Sequence, residues 1–153
     1  MNPCLYILLR NDLDSMGVKC VGKASAQACH GANAVQTIIE KMFSSKNKRE
    51  ATLKTLWLEW ACLRGFGTTI VLEAPIKTIE AIHNQCTVGY NDELAWNWED
   101  NRPIIFGSIF DPSYPVSDGS VIHLVPLLTG AYVFGDKDTF DVNSITSLLT
   151  LYP

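Results

Sequence analysis

Residues 4–10, CLYILLR, form a short and almost unbroken apolar run that ends on a charge. A strand with one wet face alternates apolar and polar residues, whereas a run without alternation has both faces covered. That demand constrains the fold more than any other feature, because a strand covered on both sides needs packed elements above and below it. The run lacks a leading basic region and a small-residue cleavage site, and Arg10, Asn11 and Asp12 cut it short, so it reads as a first strand and not as a leader peptide.

The chain goes on to supply the covering elements. Gly22 opens a small-residue segment that runs into Val35, Ile38, Ile39 and Met42 at helical steps, which predicts one long helix over roughly 23–44. Leu53, Leu56, Trp57, Trp60 and Leu63 repeat the period and stop at Gly65, predicting a second helix folded back on the first. TTIVLEA (68–74) reads as a strand, and IKTIEAIHNQC after Pro75 as a helix. IIFGSIF (104–110) and SVIHLVPLL (120–128) read as strands three and four, and DVNSITSLLTLY as a final helix. The polar, aromatic and acidic stretch 87–103 reads as a long loop or a short helical insertion, its Tyr90, Trp96 and Trp98 either covering a sheet edge or stacking bases. The expected architecture is a single three-layer α/β/α domain over residues 1–153, with a mixed four-stranded sheet and the order β-α-α-β-α-β-β-α. The link between the last two strands is too short for a parallel crossover.

At 153 residues, 47% hydrophobic and 18% charged, the chain can sustain such a core unaided, and no apolar run reaches the roughly 20 residues of a membrane span. Its five cysteines form no CxxC pair, which suggests reduced thiols in a cytoplasmic protein and neither a disulfide framework nor a zinc knuckle. The net charge of −4 argues against a protein that coats nucleic acid. Yet residues 1–65 carry nine Lys or Arg against five Asp or Glu. Lys41, Lys46, Lys48, Arg49 and Lys54 bracket the turn SSKNKRE, with Lys19 and Lys23 upstream; this excess reads either as a solvated hairpin tip or as an anion or RNA surface.

The spacing of Lys23, Gln27 and His30 is the chemical signal. Steps of four and three bring them to one side of a helix whose other residues are mostly Ala, Ser, Cys and Gly. Small residues let a helix lie close to a sheet, but they do not explain the polar trio. A lysine in the first turn adds positive charge where the helix terminus is already positive, an arrangement suited to a bound anion. Cys29 and His30, adjacent on a helix, point about 100° apart and make a poor nucleophilic dyad. Asp111 starts DPSYP, which by itself is good turn chemistry.

The segment YILLRNDLDSMGVKCVGKASAQACHGA resembles the N-terminal part of the type 2, archaeal and eukaryotic, peptidyl-tRNA hydrolases. Arg10, Asp12, Leu13, Met16, Gly17, Gly22, Lys23, Ala26, Gln27, His30 and Ala32 keep that family's order. GFGTTIVLEAPIKTIEAIH and PIIFGSIFDPSYPVSDGSVIHLVPL are similar to its later strand, Ala-Pro turn, helix and paired strands, so the likeness covers most of the chain. Ala28 stands where the family has a cysteine, and Pro115 where it has a loop threonine.

The resemblance implies hydrolysis of the ester between peptide and tRNA, without cofactor or metal, with peptidyl-tRNA as partner, no membrane association and a homodimer as the assembly. It implies Lys23, Asp111, Gln27 and His30 as catalytic candidates, with Lys23 at the oxyanion or terminal phosphate, Asp111 orienting Lys23 or water, Gln27 positioning substrate and His30 a supporting hydrogen-bond partner or base. Lys19, Lys41, Lys46, Lys48 and Arg49 would meet the RNA backbone. The alternative is an inactive RNA- or protein-binding module on the same fold.

Overall fold

Strand β1, Pro3–Arg10, is buried at every position, as the unbroken apolar run requires. In the computed structural model, which describes residues 1–13, 21–42, 48–65, 67–88 and 103–152, β1 is the middle strand of a five-stranded sheet. The remaining elements are α1 (Val21–Met42), α2 (Lys48–Leu58), a π-helical turn (Glu59–Leu63), β2 (Thr68–Ala74), α3 (Ile76–Val88), β3 (Ile104–Ser117), β4 (Ile122–Asp136), α4 (Phe140–Thr146) and β5 (Thr150–Leu151). The sheet order is β3-β4-β1-β2-β5. Only β1 and β2 run parallel; the other three pairings are antiparallel, so the sheet is mixed as expected.

Successive β1 side chains serve opposite cores. Leu5, Ile7 and Leu9 pack with Val35, Ile39 and Met42 of α1 and Leu53, Leu56, Trp57 and Trp60 beyond them. Cys4, Tyr6 and Leu8 pack with Ile79 and Ile82 of α3 and Val142 of α4 on the other face. Helices therefore cover both faces, in three layers. Burial raises the Tyr6 phenol to about 12 and lifts the Cys4 thiol as well. Trp57, Trp60 and Phe134 meet with ring centroids 5.1–5.9 Å apart, and the Trp60 indole donates to the Thr68 carbonyl at 3.0 Å.

Several expectations need correction. The sheet has five strands, not four, and the element order gains a strand after the last helix. The helix expected through residue 152 stops at Thr146, because β2 offers an open edge: Thr150 and Leu151 pair with Glu73 and Leu72, and the Tyr152 amide donates to the Val71 carbonyl at 3.0 Å. Strands β3 and β4 also run well past their expected ends at 110 and 128. Pro112 and Pro126 sit at a register irregularity and Pro115 on an edge strand, places where a missing N–H does little harm. The 89–102 part of the expected insertion, Tyr90, Trp96 and Trp98 included, lies outside the described residues.

Small residues set how closely α1 rides on the sheet. A Cβ at Gly31 would come within 2.6 Å of Ile7 Cδ1 and 3.2 Å of Ile109 Cδ1. That close approach positions the polar residues one and two turns earlier in α1. Among the described residues, no helix is long and apolar enough to cross a membrane.

Candidate active site

The site forms where the start of α1 meets the far half of the β3–β4 pair. Lys23 Nζ donates to the Pro115 carbonyl at 2.8 Å and lies 5.2 Å from the centre of the Tyr114 ring. An ammonium over an aromatic face is attracted by the ring quadrupole. One turn on, Gln27 Nε2 donates to Asp111 Oδ2 at 2.8 Å, while the Ser113 amide donates to Asp111 Oδ1 at 2.9 Å. The Asp111 carboxylate is thus fixed from both oxygens, and it remains partly exposed.

Register breaks in the strand pair put these groups where they are. From Ile104 to Ile109, β3 pairs β4 regularly, ending at Gly130. The next pair is Phe110 with Leu128, which leaves Thr129 as an extra residue on β4. Beyond Asp111–Leu127, two residues of β3, Pro112 and Ser113, face one of β4, Pro126. Bulges of this kind bend a strand and re-aim its side chains. By simple alternation Thr129 would share a face with Ala131 and Val133, against α3. Instead its hydroxyl reaches Gln27 Oε1 at 2.6 Å and Ile109 O at 3.2 Å, on the α1 side.

Arg10, at the end of β1, closes the site from behind. Its Nε and Nη2 grip Asp12 Oδ1 and Oδ2 at 2.9 and 2.7 Å, a bidentate pair, and Nη1 donates to the Leu128 carbonyl at 2.9 Å, past the last β1–β4 pair. These hydrogen bonds lower the Asp12 carboxyl below its ordinary value and raise the guanidinium above its own.

The structure therefore joins Gln27 to Asp111 and seats Lys23 on the same β3 segment. Lys23 makes no ion pair with Asp111 or any other carboxylate among the described residues. His30 is exposed and makes no hydrogen bond among them. Three residues of helix turn through about 300°, so a small displacement at the rim of the buried stripe separates buried Gln27 from exposed His30. Lys41 is exposed in the last turn of α1, where a cation suits the helix dipole. Lys19 and Lys46, and the side chains of Lys48 and Arg49, lie outside the described residues. Away from the site, His83 Nδ1 meets Ser108 Oγ at 2.9 Å, and exposed His123 pairs with Asp118 at 3.0 Å. No group of three His, Cys, Asp or Glu among the described residues is placed to hold a metal ion.

Sequence reasoning missed Tyr114, the Pro115 carbonyl and Thr129. The one usable signal was Gly130, since an isolated glycine inside a strand marks a bulge or a close backbone approach; a Cβ there would collide with the Leu8 carbonyl. No protein-family model matches the chain, and no curated protein matches it with significant sequence similarity.

Proposed function

We propose that the protein hydrolyses the ester joining a peptide to the 3′ end of tRNA. The observation that carries the reading is convergence: Lys23 and Gln27, near the start of α1, meet a β3 segment 92 and 84 residues away, at Pro115 and Asp111. Lys23, Gln27 and Asp111 are three of the four residues that the resemblance to the type 2 peptidyl-tRNA hydrolases marks for catalysis.

The chemistry asks for three things. Water must be aimed at the ester carbonyl, the oxygen of the tetrahedral intermediate must be stabilised, and the leaving 3′ oxygen must receive a proton. Asp111, held by Gln27 and the Ser113 amide, keeps lone pairs for a water and orients it. As the water oxygen bonds to the carbonyl carbon, Lys23 faces the developing oxyanion or an adjacent phosphate, with N–H bonds beyond the one given to Pro115. The carbon–oxygen bond to the ribose then breaks, and the water proton passes to the departing oxygen. Lys41 and the basic turn beyond it would meet the RNA backbone, so affinity should fall steeply with salt.

The test is release of labelled peptide from N-acetylated aminoacyl-tRNA by the purified protein, with Lys23→Ala and Asp111→Ala beside it. Release lost in both variants, with salt-sensitive tRNA binding retained, supports the hydrolase. Binding without any release would leave a recognition module on the same fold.

A further inference from the structure

We infer that Thr129 is a positioning residue that anchors the oxygen end of the Gln27 amide, whose nitrogen end Asp111 takes, and through that amide holds the orientation of the Asp111 carboxylate. The hydrolase reading is needed for the activity arm of the test and not for the structural one.

A buried amide can be turned over at the cost of exchanging its donor and acceptor ends, and only its neighbours decide between the two orientations. Gln27 is 3% exposed, so water does not decide. On one side stands Asp111, a carboxylate that only accepts, 2.8 Å from Nε2. On the other stands Thr129 Oγ1, 2.6 Å from Oε1, on a residue with no exposed surface. The only other group bonded to that hydroxyl among the described residues is the Ile109 carbonyl, also an acceptor, at the longer distance of 3.2 Å. The hydroxyl proton therefore goes chiefly to Gln27, and a directed chain results: Thr129 O–H to Gln27 O=C, then Gln27 N–H to Asp111. Each bond in such a chain polarises the next.

The bulge gives Thr129 this place. With regular pairing the hydroxyl would face α3, on the opposite side of the sheet from Gln27. The extra residue in β4 is thus tied to the polar site and to no need of the hydrophobic core.

Thr129→Val keeps the shape and removes the proton, while Thr129→Ser keeps the proton. The side-chain amide resonances of Gln27 are identified in the full-length protein by their disappearance in Gln27→Leu. They should shift in Thr129→Val and return towards their original positions in Thr129→Ser. Resonances unmoved in Thr129→Val would overturn the inference, whether or not the protein releases peptide. In the release assay, Thr129→Val should lower kcat about tenfold with KM nearly unchanged, the pattern of a lost transition-state interaction, and Thr129→Ser should restore it. In a Gln27→Leu background the valine should add no further loss; an equal, additive loss there would mean that Thr129 acts by another route. If the parent protein releases no peptide, the hydrolase reading falls and the resonances alone decide the role of Thr129.

Discussion

The two halves of the β3–β4 pair use the same strands to opposite ends. From Ile104 to Ile109 on β3 and Gly130 to Gly135 on β4, pairing is regular and most side chains are buried. From Phe110 to Ser117 and Ile122 to Leu128 the register breaks twice, and Phe110, Ile122 and Leu124 are more than half exposed. The regular half builds the core with Ile105, Ile109, Tyr132 and Phe134. The bulged half, and the residue at its boundary, supply Asp111, Tyr114, the Pro115 carbonyl and Thr129. A regular ladder assigns each residue to a face by parity, whereas a bulge releases polar groups from that assignment.

Substitutions in the regular half and at the site built on the bulged half should therefore separate stability from activity. Phe134→Ala, which removes the ring packed on Trp57 and Trp60, should cost about 3–5 kcal/mol in urea unfolding. Lys23→Ala should leave the unfolding midpoint close to that of the parent and lower peptide release on the order of 100-fold or more; a matching loss of stability would erase the contrast. Gly130→Ala sits at the boundary, and its methyl group against the Leu8 carbonyl should cost about 1–3 kcal/mol and disturb the Gln27–Thr129 contact, read as a joint fall in melting temperature and release.

The Arg10–Asp12 pair gives a smaller, pH-dependent effect. The Asp12 carboxyl is lowered in the folded state, so the stabilisation is present above the unfolded value of about 3.9 and is lost as pH falls through the folded one. The gap in melting temperature between the parent and Asp12→Asn should close on going from about pH 6 to about pH 2. With Asp12 41% exposed, screening holds the effect below about 1 kcal/mol. Smallest of all, His123→Gln at the exposed hairpin should change neither readout.

The three layers, the mixed sheet and the helical hairpin were legible because burial writes itself into periodicity: CLYILLR is unbroken where both faces are covered, and Leu53 to Trp60 recur at helical steps where one face is. What stayed hidden was the work of single hydrogen bonds. The edge that captures Thr150 and Leu151 is a property of β2, not of the two residues captured. DPSYP reads as a turn because Asp and Pro favour turns, and only pairing with β4 makes it part of a strand. Lys23 and Gln27 were visible through their helical spacing, and Asp111 only through the proposed resemblance to a family. Thr129 was not, because a threonine between leucine and glycine reads as an ordinary strand residue until the register break is known.

The hydrogen bonds that join Gln27 with Asp111 and with Thr129, and Lys23 with Pro115, span 84, 102 and 92 residues of sequence. Contacts so distant cannot form within any local fragment. They require α1 to be docked and the β3–β4 ribbon to be in place beside β1, and closing loops of this length slows folding. A complete but unfolded chain thus carries every residue of the site without its geometry. Appearance of the Lys23–Pro115 contact would serve as a clock for the docking of α1 onto the ribbon.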